Sequence, residues 1–347
     1  MRRSARCSKN WHIFADRLHP QMPKGISGMV EQKLTHDTVD YSIIIPVYCN
    51  EGSLKDLYQT LQTEVVRQNS ARSHELIFID DGSYDRSFEI LLELKKQDPE
   101  HIKLIKFTRN FGQVAAMFAG YQLAKGDCIV NISADLQDPP RLINEMLNAY
   151  FDEQYDIVIC YRRSRDESFF RIFTSGLFYR TMKKLSFPDM PPGGFDYFLM
   201  SRRVRDQILM NNESNPFIQG KILWTGFHKK WIPYDRESRK SGTSKWTFSK
   251  KIKYLIDGVL GYSYLPLRAM SLVGLCVSIL GFVYAVIILF SKIFGGISTT
   301  GWAPLMIMIL ILSGIQMLML GIIGEYLWRA LDQSRNRPQF IIDKVYD

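Results

Sequence analysis

Two long apolar runs near the C-terminus constrain this chain of 347 residues more than any other feature. Ala269–Phe290 and Trp302–Gly324 contain no charged side chain. A helix rises about 1.5 Å per residue, so each run is long enough to cross a hydrocarbon layer of about 30 Å. A single run could be a buried helix of a water-soluble protein, but two in tandem favour membrane spans. The sequence therefore predicts a transmembrane hairpin over residues 269–324.

Basic residues flank the two runs, whereas the loop between them is nearly uncharged. This loop, residues 291–301, has Lys292 as its one charged residue. The basic flanks are Lys245, Lys250, Lys251, Lys253 and Arg268 before the first run, and Arg329, Arg335, Arg337 and Lys344 after the second. Segments rich in Lys and Arg stay on the cytoplasmic side of a membrane. We therefore expect both termini in the cytoplasm, with residues 325–347 as a cytoplasmic tail and the loop outside.

Charge and cysteine content narrow the partners and the compartment. The formal net charge is +9, and basic residues crowd the segments beside the apolar runs. This placement favours an anionic lipid surface and phosphorylated substrates over nucleic acid. The five cysteines include no Cys-x-x-Cys pair, which indicates a reducing compartment. Residues 1–40 are basic and irregular, with no apolar run long enough for a signal peptide, and we expect no fold there.

From Tyr41 onward, apolar runs that resemble strands alternate with amphipathic helical patterns. After the first run, Leu54, Leu57 and Leu61 recur at helical spacing behind Ser53, which is a predicted N-cap. Strands are predicted at residues 41–48, 75–80, 102–107, 128–132 and 156–160. Alternation at this rhythm predicts βαβ units and a largely parallel sheet that is covered on both faces. We expect an α/β domain over residues 41–235.

Acidic and basic residues follow the predicted strands where ligands bind in open parallel sheets, at their carboxyl ends. Asp80 and Asp81 close the second strand, Arg109 follows the third, and Asp135 and Gln137 follow the fourth. The dinucleotide and P-loop glycine motifs are absent, which disfavours both sites. Carboxylates at neighbouring strand ends suit a nucleotide diphosphosugar, with one on the base or ribose and another on Mg²⁺ or Mn²⁺. Each motif alone could be an ordinary turn, and the ordered set is what favours a site.

Six motifs in order carry a family resemblance: SIIIPVY, FIDDGSYDRS, FTRNFGQVAAMFAGYQLAKGD, ADLQDPP, GGFDYFLMSR and RKSGTSKW. Together with the two apolar runs, they resemble the polyprenyl-phosphate glycosyltransferases of family 2. These include dolichol-phosphate mannose synthases and bacterial undecaprenyl-phosphate glucosyl- and aminoarabinosyltransferases. The resemblance covers residues 41–345. It implies a Rossmann-like nucleotide-diphosphosugar transferase domain of the GT-A type, followed by two transmembrane helices.

The resemblance also implies an activity and its partners. A sugar would pass with inversion from a nucleotide sugar, UDP-glucose or similar, to a polyprenyl phosphate, undecaprenyl phosphate or similar. The transfer would occur at the cytoplasmic face of the inner membrane and would make a lipid-linked sugar donor for cell-envelope glycans. The expected cofactor is Mg²⁺ or Mn²⁺. The resemblance leaves open whether the protein forms a homo-oligomer.

The site residues implied by the resemblance fall into overlapping groups. The catalytic residues would be Asp196 and Asp135, Arg162 would contact the acceptor phosphate, and Asp135 and Gln137 would hold the metal ion. Residues that would bind the nucleotide sugar are Pro46, Tyr48, Glu51, Asp80, Asp81, Arg109, Asp135, Gln137, Arg239 and Lys245. Arg239 and Lys245 lie in R-x-x-G-x-S-K, which matches a flexible loop that closes on the phosphates.

The chain departs from the family pattern at two places. Ser133 stands where the metal motif usually has an acid, and Cys49-Asn50 stands where Asn-Glu is more usual. One charge fewer should weaken metal binding, or require the sugar diphosphate to complete the ligands. Two alternatives stay open. A processive polysaccharide synthase would carry Q-x-x-R-W and further spans, which this chain lacks, and a non-catalytic membrane scaffold would explain Ser133.

Two further segments have a basic and apolar composition. Residues 168–186 interleave phenylalanines with Arg and Lys, which favours a helix at the membrane interface over a helix packed on its own sheet. Residues 236–268 are expected to contain the active-site loop and a helix that lies beside the membrane.

Overall fold

The computed structural model describes residues 39–163, 183, 187–191, 194–210, 213, 216–235, 265–293 and 301–347. Its strands are β1 Val39–Val47, β2 His74–Asp80, β3 Ile102–Phe107, β4 Gly126–Asn131, β5 Ile157–Arg162, β6 Tyr197–Ser201, β7 Lys229–Tyr234 and β8 Ile342–Tyr346. Its α-helices are α1 Leu54–Leu61, α2 Ser87–Gln97, α3 Gln113–Leu123, α4 Leu142–Phe151, α5 Arg202–Met210, α6 Ile218–Trp224, α7 Leu265–Ile293 and α8 Trp302–Ser334.

The strands form one sheet in the order β7-β5-β6-β4-β1-β2-β3-β8. Strands β4, β1, β2 and β3 run parallel to one another, and β7 is parallel to β5. Strand β6 is antiparallel to β4 and β5, and β8 is antiparallel to β3. The predicted α/β class with a mostly parallel sheet is confirmed.

Apolar side chains cover both faces of the sheet. Successive residues of a strand point to opposite faces, so Ile43 joins one core cluster and Ile44 the other. Leucines of α1, α2 and α4 fill the first cluster, and residues of α3, α5 and α6 fill the second. Burying a Leu or Ile side chain stabilises the fold by about 1.5–3 kcal/mol. The central strands are apolar on both faces because both faces are covered.

Three strands lie outside the predicted set. Strand β6 lies between β5 and β4, β7 forms the edge of the sheet beyond β5, and β8 forms the opposite edge. Strand β8 belongs to the segment that we predicted as a tail, in which α8 also continues to Ser334. Strand β7 contains two lysines and a proline, and β8 is largely exposed, so neither shows the apolar run that marks a buried strand. Strand β1 begins at Val39, inside the predicted N-terminal tail.

Helices α7 and α8 contain the two apolar runs. Their apolar windows, Leu267–Ile288 and Ile311–Ser334, have mean hydropathies of 2.5 and 1.4, and no side chain that the structure describes in either window is buried. By length and composition both helices can cross a membrane, which indicates membrane association. The hairpin boundaries, the orientation and the cytoplasmic location of the termini stay predictions.

Several predicted segments lie outside the described residues. They are residues 1–38 of the N-terminal tail, residues 168–186 apart from Lys183, and residues 236–264 with Arg239 and Lys245.

Candidate active site

The sheet topology brings the predicted site residues to one edge. The carboxyl ends of β3, β2, β1 and β4 meet there because these strands are parallel. Strand β6 runs the opposite way, so its first residues lie at the same edge as the last residues of β4, β5 and β7. The predicted residues at this edge are Pro46, Tyr48, Glu51, Asp80, Asp81, Arg109, Asp135, Gln137, Arg162 and Asp196.

Hydrogen bonds join the loop after β1 to the loop after β2. The backbone N–H of Cys49 donates to Ser83 Oγ at 2.9 Å, and the N–H of Asn50 donates to Ser87 Oγ at 2.7 Å. Glu51 Oε2 accepts the N–H of Arg86 at 3.1 Å. The Tyr48 ring meets Tyr84 edge-on, with centroids 6.2 Å apart. These hydrogen bonds hold the backbone from Tyr48 to Glu51 in place. The Tyr84 residue is 82% exposed.

Asp80 carries a buried oxygen that has no partner among the described residues. The residue is fully buried, its Oδ1 accepts the N–H of Ser83 at 3.3 Å, and its Oδ2 accepts nothing. Burial raises the pKa of Asp80, while the hydrogen bonds from Ser83 and the charge of Lys106 oppose that rise. A buried acceptor without a donor is costly. Asp80 therefore suits a donor group brought by a ligand.

Asp81 holds the loop that carries Arg109. Its Oδ1 accepts the N–H of Phe111 at 2.6 Å, and its Oδ2 accepts the N–H of Gly112 at 2.9 Å and the amide of Asn110 at 2.9 Å. The guanidinium of Arg109 lies 4.6 Å from the centre of the Phe111 ring. The Asp81 carboxylate thus fixes the turn before α3, a contact that the sequence motif did not indicate.

The C-terminal segment supports the same loop from outside. The ring of Phe340 stacks on Phe107, with centroids 5.2 Å apart, and Phe107 meets Phe111 edge-on at 5.7 Å. The N–H of Thr108 donates to the carbonyl of Ile341 at 3.2 Å. The residues between α8 and β8 therefore buttress the backbone next to Arg109.

We expect Gly82→Ala to destabilise the protein more than Gly226→Ala does. A Cβ on Gly82 would lie 2.5 Å from the carbonyl carbon of Arg109, whereas one on Gly226 would meet no described atom within 4 Å. Both glycines have positive φ, +67° and +70°. Each alanine should therefore cost about 1–2 kcal/mol in backbone strain, and Gly82→Ala about 1–3 kcal/mol more for the clash. Denaturant unfolding in detergent measures the difference. Equal losses would contradict this close approach.

The loop after β4 places two carboxylates around one hydroxyl. Ser133 Oγ lies 2.8 Å from Asp135 Oδ1 and 2.8 Å from Asp138 Oδ2. The N–H of Gln137 donates to Asp135 Oδ1 at 3.3 Å. Leu136 turns the chain with φ of +57°. Ser133 therefore contacts both acids of the motif.

Ser53 holds this loop in a way that corrects one prediction. The residue stands at the N-cap of α1, but its side chain makes no capping hydrogen bond. Its Oγ donates instead to the carbonyl of Ala134 at 2.7 Å. The prediction of a capping side chain is wrong, because the carbonyl next to Asp135 is within reach.

Asp196 precedes β6 beside Arg162. Arg162 Nη2 lies 3.9 Å from Asp196 Oδ2, and Gln219 Nε2 donates to Asp196 Oδ1 at 3.2 Å. The backbone carbonyl of Asp196 accepts the amide of Asn131 at 2.9 Å. The Asp196 side chain is 56% exposed, whereas that of Arg162 is 18% exposed. A ligand can therefore reach the carboxylate while its backbone and its neighbours are held.

Three residues of this edge were not predicted. Gln219 contacts Asp196, and Tyr234 donates its hydroxyl to Asp138 Oδ1 at 2.5 Å. Burial, together with the negative charge of Asp138, raises the pKa of Tyr234 far above its usual value, so the hydroxyl stays protonated. Asp138 could have been found in the ADLQDPP motif. Gln219 and Tyr234 lie in segments without a motif.

The oxygen donors after β4 suit one kind of metal ion. The described residues contain no group of three or more His, Cys, Asp and Glu that could hold a metal. The carboxylate of Asp135 and the amide of Gln137 supply oxygen, which Mg²⁺ and Mn²⁺ prefer. Such a set fits an ion that takes its other ligands from substrate phosphates.

Comparisons with known proteins identify the class. Residues 42–209 match the profile described as Glycosyl transferase family 2. The chain is 41% identical over 309 residues to an uncharacterized glycosyltransferase, YkcC of Bacillus subtilis, covering 89% of this chain and 94% of the relative. It is 32% identical over 306 residues to the bactoprenol glucosyl transferase of Shigella phage SfII, covering 88% and 98%.

The protein is therefore a glycosyltransferase. The chain belongs to glycosyltransferase family 2, as the motifs predicted. Among solved structures it is similar to glucosyl-3-phosphoglycerate synthase from Mycobacterium tuberculosis with Mn²⁺, UDP and phosphoglyceric acid. The TM-score is 0.45 at 14% identity, over 63% of this chain and 78% of that chain.

Proposed function

We propose that this protein transfers a hexose from a nucleotide diphosphosugar, UDP-glucose or similar, to a polyprenyl phosphate such as undecaprenyl phosphate. The observation that carries the proposal is the similarity to a protein named bactoprenol glucosyl transferase, which extends over 88% of this chain. Bactoprenol is a polyprenyl lipid. The two apolar helices are consistent with an acceptor whose tail lies in a bilayer.

The donor would bind over the ends of β1 to β4. Pro46, Tyr48 and Glu51 would line the nucleotide, and the buried Oδ2 of Asp80 would accept a hydrogen bond from the base or ribose. Asp81 would support the site through the Arg109 loop. A ligand that lacks a donor for this oxygen would leave it buried without a hydrogen bond. Such a ligand should bind much more weakly.

The diphosphate would lie near the loop after β4. Asp135 and Gln137 would hold Mg²⁺ or Mn²⁺ there, and the bound ion would neutralise charge on the departing diphosphate. Arg239 and Lys245, outside the described residues, would close over the phosphates. Such a basic loop adds its charge when substrate is present.

The acceptor phosphate would lie near Arg162 and Asp196. A phosphate monoester has a second pKa near 6, so the acceptor is largely ionised at about pH 7. One of its oxygens attacks the anomeric carbon, the bond from that carbon to the diphosphate oxygen breaks, and the nucleoside diphosphate leaves with both electrons of that bond. Attack opposite the leaving group inverts the anomeric configuration. The enzyme's task is mainly to position two anionic partners and to offset their charge.

The basic flanks of the apolar runs favour a site on the cytoplasmic face. We expect inverted vesicles that contain this protein to transfer label from UDP-glucose to added polyprenyl phosphate, giving an acid-labile lipid. Sealed right-side-out vesicles should be inactive until they are permeabilised, because the nucleotide sugar does not cross the bilayer. GDP- and dTDP-sugars tested in the same assay identify the donor.

The alternatives give different results in this assay. Label in a long water-soluble polymer would indicate a processive synthase. Failure to transfer from any nucleotide sugar, with no thermal stabilisation by nucleotides, would indicate a scaffold. A ligand at a hundred times its Kd stabilises the folded protein by about 2.7 kcal/mol. A thermal-shift assay would therefore show clearly whether nucleotides stabilise this protein. Equal activity in sealed right-side-out vesicles would contradict the cytoplasmic site.

A further inference from the structure

A buried carboxylate that the proposed reaction does not use lies in the loop after β4. Asp138 is 1% exposed. Its Oδ2 lies 2.8 Å from Ser133 Oγ, and its Oδ1 accepts the hydroxyl of Tyr234 at 2.5 Å. A carboxylate removed from water is costly unless hydrogen bonds replace the lost hydration. Asp138 therefore depends on groups from two separate parts of the chain and ties them together.

On one side of Asp138, the contacts reach Asp135. Ser133 Oγ lies 2.8 Å from both carboxylates, and a hydroxyl has one proton, so Ser133 donates to one of them at a time. An acid at position 133 would instead place a third carboxylate between these two, where like charges repel. Ser133, which departs from the family's acidic motif, is therefore compatible with Asp135 and Asp138 on either side of its hydroxyl. Its presence does not indicate a degenerate site.

On the other side of Asp138, the contacts reach Arg162. Tyr234 ends β7 and Arg162 ends β5, and the two residues are paired in register. The positive charge of the Arg162 guanidinium opposes the rise in the pKa of Tyr234, and the Tyr234 hydroxyl donates to Asp138. Arg162 Nη2 also lies 3.9 Å from Asp196. A series of neighbouring polar side chains thus runs from Asp135 to Arg162.

We propose that Asp138 and Tyr234 are positioning residues that hold Asp135 and Arg162 at a fixed separation. The inference rests on the proposed function, in which Asp135 faces the donor diphosphate and Arg162 faces the acceptor phosphate. In-line attack requires both phosphorylated partners in one geometry. Asp138 and Tyr234 act through their neighbours and do not touch substrate.

Tyr234→Phe tests this proposal because it removes one hydroxyl and keeps the ring. With UDP-glucose, Mn²⁺ and a short polyprenyl phosphate, we expect the kcat of the full-length protein in detergent to fall by about 10- to 100-fold, as a misplacement of about 1 Å would cause. Each substrate keeps its own contacts, so both KM values should stay within about threefold of wild type. The matched control is Tyr121→Phe, which removes another fully buried hydroxyl that lacks a described partner.

A combined variant distinguishes positioning from general support of the fold. Ser133→Ala and Tyr234→Phe both act through Asp138, so their effects on kcat should combine to less than the product of the single effects. If the two substitutions damaged the structure independently, their fold-losses in kcat would multiply. If Tyr234→Phe unfolds early, Ser133→Ala alone should show the same fall in kcat with unchanged KM values.

Three results would overturn the inference. They are wild-type kcat in Tyr234→Phe, an equal fall in Tyr121→Phe, and effects of Ser133→Ala and Tyr234→Phe that multiply. The failure of the proposed function is a separate result, because the wild-type protein itself would then transfer no sugar.

Discussion

Asp135→Asn is expected to lower sugar transfer by about 10²–10³-fold, the range seen when one group that stabilises developing charge is removed. The side chain keeps its size and can still meet Ser133 and Gln137. What it loses is the negative charge that would hold a divalent cation against the diphosphate. The KM for the nucleotide sugar should rise as well, because the proposed cation would also help to hold the donor before the reaction.

Initial rates at saturating lipid acceptor measure this loss. The matched control is Asp152→Asn, which removes a carboxylate that is 68% exposed and 4.0 Å from Arg72. Excess EDTA should abolish wild-type transfer, and a Mn²⁺ titration should restore it. Asp135→Asn should need a higher Mn²⁺ concentration for half of its own maximal rate. Full wild-type activity in EDTA would remove the metal from the proposal.

Asp196→Asn is expected to lower the rate by about 10²–10⁴-fold, the range of a lost acid–base group, and by the same factor from about pH 6 to pH 9. The structure favours a positioning role, because Asp196 lies between Arg162 and Gln219. An acceptor that is already largely ionised has little proton for a base to remove. The loss should therefore not depend on the acceptor's second ionisation.

The pH–rate profile decides between the two roles, since both predict a large loss. A general base would leave a variant whose rate recovers steeply as pH rises past the acceptor's second pKa. Asp189→Asn is the matched control, because it breaks another Asp–cation pair, with Lys229 at 2.7 Å, outside the proposed site. Recovery of Asp196→Asn toward the wild-type rate at high pH would show that Asp196 is a base.

Strands β1 to β5 could be predicted from the sequence because each is an apolar run next to a helical pattern. The residues around Ile43 and Ile44 are buried on both faces, so they resemble no surface strand. The site followed from the same reasoning, since Asp80, Asp81 and Asp135 are acids at the ends of such runs. The parallel topology then brings those ends together.

The rest depends on contacts between distant residues. Tyr234 meets Asp138 only because β7 pairs with β5 and β6 lies antiparallel between β5 and β4. Ser53 has the ideal residue type for an N-cap, yet a carbonyl 81 residues away accepts its hydroxyl. Both hydrogen bonds depend on the tertiary structure, so the local sequence pattern cannot predict them.

Strand β8 has a consequence for how the protein is made. Among the described strands it comes last in the chain, and it can pair with β3 only after both apolar helices have been synthesised. Until then, the backbone N–H and C=O groups of β3 on that side lack their final partners, and an unpaired strand edge is a template for aggregation. Domains otherwise tend to fold as they emerge. Completion of this sheet therefore waits for the synthesis of the apolar helices. A chain without β8 should aggregate during biogenesis more readily than a chain that contains it.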